Sequence, residues 1–212
     1  VTFNSIPGDG NIYILTTFAD FANNNTTDNR ITSPLITVDN TTPVINVVDI
    51  SGNNSISTDR ITGRDATDTV TLVFKTNNNE ALTGIPQVNW AFDNGSGNSV
   101  AYSDARVSTT TSDNITFTST IDILATDSDG LLTYNINPTG LTDLADNSLV
   151  AVTSYANPNI TVDNTYPNVL PADITIVSNN PVFNTEATNG DIITLNFTTD
   201  EAISAATVVI DG

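Results

Sequence analysis

The sequence predicts an all-β protein made of antiparallel β-sandwich modules in tandem, and three observations carry that expectation. The first is composition. The 212 residues include no Met, Cys or His, one Trp and five Lys or Arg, while Thr, Val, Ile, Asn and Asp dominate. That is strand and turn chemistry, poor in the good helix formers. The second is periodicity: short runs alternate apolar and polar residues, as half-buried strands do. The third is repetition. ITVDNTTP at 36–43 returns as ITVDNTYP at 160–167, with Asp39 and Asp163 separated by 124 residues. An octet repeated at the length of a small domain marks a tandem repeat.

The octet itself has a physical order. Ile-Thr-Val reads as a strand. Asp-Asn breaks it, because both side chains favour local turns. The proline that follows removes a backbone donor and forces an extended start. Each octet therefore reads as a last strand, a junction and the first strand of the next module.

In chain order, residues 12–15 form a short apolar run of strand length, followed by FADFANNN at 18–25, a polar loop and the first octet. The same order returns later. Residues 1–3 align with 115–117, Asp9-Gly10 with Asp129-Gly130, and 18–25 with 141–148, placing Asp20 on Asp143. Residues 1–43 thus read as the C-terminal half of a module. Residues 44–167 read as one complete module, with strands at 44–50, 70–74, 88–92, 100–107, 115–123 and 131–136. Turns fall at 77–80 and 93–95. Val70, Leu72, Phe74, Trp90 and Phe117 are the expected core, in a module large enough to bury one without staples. Residues 168–212 read as the N-terminal half of the next module: 191–197 align with 68–74, and Glu201-Ala202-Ile203 with Glu80-Ala81-Leu82. A half, a whole and a half predict either a longer array or neighbouring copies that complement one another head to tail.

The net charge of −19 argues against nucleic acid and anionic membrane as partners, and suits cation binding. No apolar run approaches the roughly 20 residues of a membrane-spanning helix. Without His or Cys, imidazole catalysis, histidine-ligated zinc and a thiol nucleophile are excluded. A carboxylate pair for glycoside hydrolysis is not excluded by residue count. Yet the acidic residues recur with the repeat or lie in turns, so the expectation is no enzyme. Lys75 is the sole lysine and a conceivable isopeptide former; its aligned residue is Thr198, so a solvated lysine is expected.

The T-L-x-F segments at 71–74 and 194–197, each followed by Glu-Ala, the L-A-D-N segment at 144–147 and the two V-D-N-T-x-P junctions together resemble bacterial Ig-like tandem repeats. Such repeats occur in giant prokaryotic surface adhesins and in some surface-layer (S-layer) proteins. Thr42 and Tyr166 stand before the prolines where a small residue is usual. The resemblance implies an Ig-like sandwich, extracellular placement, often calcium between or within modules, and no catalysis.

Three acidic groups are candidate calcium ligands. Asp127-Ser128-Asp129-Gly130 is a D-x-D-G loop: alternate carboxylates face one way and glycine allows the sharp turn. Calcium takes about six to eight oxygens from such loops. No Glu follows at the spacing that would complete an EF-hand. Asp143 and Asp146 sit three apart beside Asn147. The junction pairs, Asp39 with Asn40 and Asp163 with Asn164, form the third group. For the D-x-D-G loop the bland alternative is a solvated Asx-turn, and for the junction pairs it is plain turn formation. A junction cation would rigidify one module against the next, which favours the junction pairs.

Trp90 is expected in the core, with a glycan-stacking surface position as the alternative. N-x-S/T sequons occur at Asn24, Asn94, Asn114, Asn159 and Asn196 among others. The function expected is a structural building block of a cell-surface filament, layer or stalk, calcium-stiffened, whose partners are neighbouring copies of itself. The alternative is an adhesin module that engages glycan or a host protein.

Overall fold

The computed structural model describes residues 8–13, 15–25, 29–30, 36–57, 60–64, 68–93, 98–101, 103–150, 152–155 and 160–209. Residues 1–3, Ile14, the turn at 94–95 and sequon residues Asn94 and Asn159 lie outside that set. The chain divides into two compact units, Val1–Asn164 and Thr165–Gly212. The first carries β1 (Gly10–Ile12), β2 (Leu15–Thr16), β3 (Asn29–Arg30), β4 (Ile36–Val38), β5 (Ile45–Gly52), β6 (Arg60–Ile61) and β7 (Thr69–Thr76). It continues with β8 (Gln87–Asp93), β9 (Asn98–Val100), β10 (Val107–Thr111), β11 (Thr116–Asp122), β12 (Gly130–Asn137), β13 (Val152–Tyr155) and β14 (Thr161–Val162). The second carries β15 (Ile174–Ser178) and β16 (Ile193–Phe197). Among the described residues the only helical turns are short 3-10 segments at Asn77–Asn79 and Pro171–Asp173.

The protein is all-β, with several antiparallel sheets. In the first unit two of them enclose the core. One runs β10-β11-β7-β5; the other runs β6-β14-β12-β8-β9, with β13 also on β12. The alternation in the sequence creates this arrangement. β7, TVTLVFKT, turns Val70, Leu72, Phe74 and Thr76 inward. β11 contributes Phe117, Ser119 and Ile121, β8 contributes Val88, Trp90 and Phe92, and β12 contributes Leu132, Tyr134 and Ile136. All five expected core residues are fully buried. Phe74 stacks on Phe117 at 5.3 Å between ring centroids, and Trp90 meets Tyr134 edge-on at 5.8 Å. Each fully buried side chain of this size contributes about 1.5–3 kcal/mol. Burial also removes Trp90 as a glycan-stacking platform, and Lys75 lies exposed on the outer face of its strand.

Elsewhere the structure departs from the sequence reading. The strand expected at 100–107 is broken. β9 ends at Val100, and 103–106 turn through bonds from Asp104 N to the Ala101 carbonyl and from Val107 N to the Asp104 carbonyl. β5 carries a bulge between Val47 and Asp49 that leaves Val48 outside. β6 was invisible in the sequence: two residues are too few to show a period, and β6 pairs in parallel with β14. Asn78 and Asn79 adopt φ of 54° and 59°, the left-handed region that Asn tolerates better than most residues.

In the second unit β15 and β16 pair antiparallel, with Ile176 opposite Leu195 and Ser178 opposite Ile193. β5 and β7 place Ile50 opposite Leu72 and Gly52 opposite Val70. Leu195 and Ile193 thus meet partners two residues apart on the preceding strand, as the aligned Leu72 and Val70 do.

Candidate junction site

Asn164 organises the end of the first unit. Its backbone N donates to Asp129 Oδ1 at 2.5 Å. Its side-chain Oδ1 accepts from Thr62 Oγ1 at 3.0 Å and from Gly63 N at 2.9 Å. Its Nδ2 donates to the Leu124 carbonyl at 3.1 Å and the Asp127 carbonyl at 2.8 Å. Arg64 Nε donates to its main-chain oxygen. A buried amide thus spends both ends of its side chain on two separate loops, as burial of a polar group requires. Gly63 is needed here. A Cβ at that position would fall on the main chain of Leu124 and lie 2.5 Å from Ala125 N and Ile123 O.

The first octet repeats part of this geometry. Asn40 N donates to Asp9 Oδ1 at 2.6 Å, and Thr41 Oγ1 donates to Asp9 Oδ2. Asp9 precedes Gly10 at φ 146°, as Asp129 precedes Gly130 at φ 148°. Gly10 pairs with Val38 as Gly130 pairs with Val162. The Thr41 hydroxyl, then the Asn40 N–H, hold the Asp9 carboxyl below its ordinary value. Asp39 Oδ1 accepts from Thr41 N at 3.0 Å, a closed Asx-turn. The octet is tied onward to the loop 141–150. Asn147 Nδ2 donates to the Asp39 carbonyl at 3.1 Å, and Val150 N to the Pro43 carbonyl at 3.0 Å.

That loop recurs as well. Asp143 Oδ1 accepts from Ala145 N and Asn147 N at 2.8 and 2.9 Å, and Oδ2 from Asn147 Nδ2 at 3.0 Å. Asp20 accepts in the same way from Ala22 N, Asn24 N and Asn24 Nδ2 at 2.9, 2.8 and 2.7 Å. Asn23 and Asp146 both take left-handed φ, 64° and 71°. For Asp143 burial opposes ionisation, but the Asn147 side chain and the N–H groups of Asn147, Ala145 and Asp146 outweigh it and lower its pKa. The early strands recur in the same detail. Val44 N donates to Asn77 Oδ1, and Asn168 N to Asp200 Oδ1. Thr76 Oγ1 donates to the Glu80 carbonyl, and Thr199 Oγ1 to that of Glu201.

Most junction carboxylates therefore already serve as acceptors for nearby N–H and O–H groups. Asp127 takes Arg106 at 2.6 Å and Leu124 N at 2.8 Å on one oxygen, so its charge is neutralised within the fold. Asp163 meets Arg60 at 3.4 Å. Asp146 lies exposed in its turn. The structure gathers Asp127, Asp129 and Asn164 at the second octet, and Asp39 and Asn40 with Asp9, Asn147 and Asp143 at the first. Among the described residues no three Asp or Glu side chains converge closely enough to hold a metal ion together.

Glu80 is the residue the sequence reading passed over. Its Oε2 is shielded from water and has no hydrogen-bond partner among the described residues. Burial raises its pKa, followed by the fields of Asp39, Asp143 and Asp9. A signal was available: Glu-Ala follows T-L-x-F in both copies, just as Asp9-Gly10 matches Asp129-Gly130. Neither a family model, nor a curated protein, nor a solved structure matches this chain.

Proposed function

We propose that this chain is a non-catalytic structural part of an extracellular array, in which Ig-like sandwich modules follow one another and calcium stiffens the junctions. The observation that carries the reading is recurrence in atomic detail. The Asp9–Asn40 contact is repeated by Asp129–Asn164, and the Asp20–Asn24 loop by Asp143–Asn147. A catalytic site occurs once in a fold; a junction that fixes the direction of a chain of modules occurs at every step. The acidic side chains fit that role because most are spent on shaping their own turns. Glu80 is the exception, and it favours the first octet over the second as the place where calcium would bind. There a shielded carboxylate oxygen lies in the field of Asp39, Asp143 and Asp9. A hard cation would complete such a group with main-chain oxygens and water. At the second junction Asp127 already faces Arg106.

Thermal melting of the 212-residue chain in chelator and in calcium tests this. Calcium at roughly 0.1–1 mM, the range of extracellular modules, is expected to raise Tm. Asp39→Ala and Glu80→Gln should each remove most of that rise. Identical melting curves with and without chelator would refute calcium at the junction.

A further inference from the structure

Asn164 stands where the chain leaves the two-sheet core of the first unit. The chain enters that core at Val44, just past the end of β7. Val44 N donates to Asn77 Oδ1, and Asn77 N donates to the Val44 carbonyl, both at 2.8 Å. At the exit Asn164 holds Thr62, and Thr62 N donates to Asp68, the residue just before β7. Entry and exit therefore lie at opposite ends of β7, whose eight residues span roughly 25 Å. Tension along the chain acts along the strands. It shears the first strand of the core, β5, and the last, β14, against their neighbours.

The two strands are held unequally. β5 has seven residue pairs on β7. β14 has two on β12 and two on β6. Asn164, two residues past β14, makes good the difference. Six hydrogen bonds tie it to Thr62, Gly63, Arg64, Leu124, Asp127 and Asp129. Asp163 adds its N–H on the Ile61 carbonyl at 2.9 Å and its carboxylate near Arg60 at 3.4 Å. The last strand cannot slide out until these contacts break, and shear loads them together rather than in turn. We infer that this core carries tension along the chain, with Asn164 as the lock that sets the force at which it yields. The inference rests on the array reading and deepens it, and the lock itself needs no cation.

The sheet order supplies a control. In β10-β11-β7-β5 the edge strands are β10 and β5. The turn between β10 and β11 lies at the entry end, since Thr76 N donates to the Ile115 carbonyl. Pulling that turn away from the entry opens the ladder across the strands, one bond after another, and leaves Asn164 off the load path. The chain has no cysteine, and Thr42, Ser112 and Tyr166 are exposed, so handles can be placed at will. Thr42→Cys with Tyr166→Cys loads entry against exit; Thr42→Cys with Ser112→Cys loads entry against the turn. Both pairs keep residues 1–41 and 167–212 off the load path.

The test is single-molecule pulling of the 212-residue chain in chelator. The first pair should yield at no less than about twice the force of the second at equal loading rate. Its length gain should be roughly 400 Å as the 124 residues from 42 to 166 extend. Asn164→Ala should speed unfolding at fixed force at least about tenfold for the first pair and less than about threefold for the second. Forced unfolding reads the barrier, and the bonds of Asn164 are still intact at the second barrier. Equal forces for the two pairs, or an equal effect of Asn164→Ala on both, would overturn the inference. Should that variant fail to fold, the ratio of forces in the chain that keeps Asn164 decides alone. Unequal forces beside melting curves that ignore calcium would keep the lock and remove the cation. Equal forces beside a calcium-dependent Tm would do the reverse.

Discussion

Replacing Asn164 with Ala removes four side-chain hydrogen bonds at once: two accepted from Thr62 and Gly63, and two donated to the carbonyls of Leu124 and Asp127. Each such bond contributes about 0.5–1.5 kcal/mol net, so the four sum to roughly 2–6 kcal/mol. The lower part of that range applies. Leu124 is exposed, and Thr62, Gly63 and Asp127 are only half-buried, so water re-solvates part of what the substitution strands. The expected loss is about 2–3 kcal/mol, or ~4–12 °C in Tm for a unit of this size. Asn40 occupies the matching position of the first octet, but it is exposed. Asn40→Ala should stay within about 0.5 kcal/mol, as surface substitutions do. The assay is thermal unfolding followed by Trp90 emission, with both variants in chelator. A loss below ~2 °C for Asn164→Ala, or equal losses for the two, would refute the claim that burial makes one octet the structural hub.

Further outcomes follow from the same geometry. Gly63→Ala should destabilise the first unit by at least about 2 kcal/mol, because its methyl meets the backbone of residues 123–125 rather than a movable side chain; chemical denaturation measures it. Phe117→Ala should cost roughly 3–5 kcal/mol by opening the stack on Phe74, read by the same method. Glu80→Gln should stabilise the calcium-free chain at neutral pH. A carboxyl whose folded pKa is raised favours folding while protonated, and that contribution is lost as pH rises above 4.5 and through the raised value. The advantage of Gln should therefore vanish below about pH 4. Asp143 has the opposite sign. Its lowered pKa stabilises the fold above 3.8, and that contribution fades as pH falls, so Asp143→Asn should cost stability at pH 7 and little at pH 2; melting curves across pH separate the two.

Residues whose role depends on period or turn chemistry were legible in the sequence. β7 and β8 alternate strictly, and Val70, Leu72, Phe74 and Trp90 lie where that alternation puts them. The Asp-Asn turns and the alignment of Asp20 with Asp143 were legible because short polar side chains bond to nearby backbone. What was hidden depends on distant partners. Nothing local in Asn164 announces that Thr62 and Gly63, a hundred residues earlier, will occupy its side chain. Asp127 looks like half of a D-x-D-G cation loop until Arg106, from another turn, reaches it. Glu80 looks like any surface glutamate until the fold shields its Oε2 from water and leaves it without a hydrogen-bond partner among the described residues. β6 pairs with β14 across about half the chain, and two residues show no period of their own.

The central claim is that the two octets and the two Asp loops are the same structural device, formed twice. Long-range HNCO spectroscopy detects scalar coupling from a backbone amide nitrogen to the carboxyl carbon it bonds, and so observes these contacts directly. The account predicts cross-peaks in matched pairs: Asn40 N to the Asp9 carboxyl with Asn164 N to that of Asp129, and Asn24 N to Asp20 with Asn147 N to Asp143. Cross-peaks confined to the second copy, with Asn40 and Asn24 amides coupled to other acceptors, would contradict it.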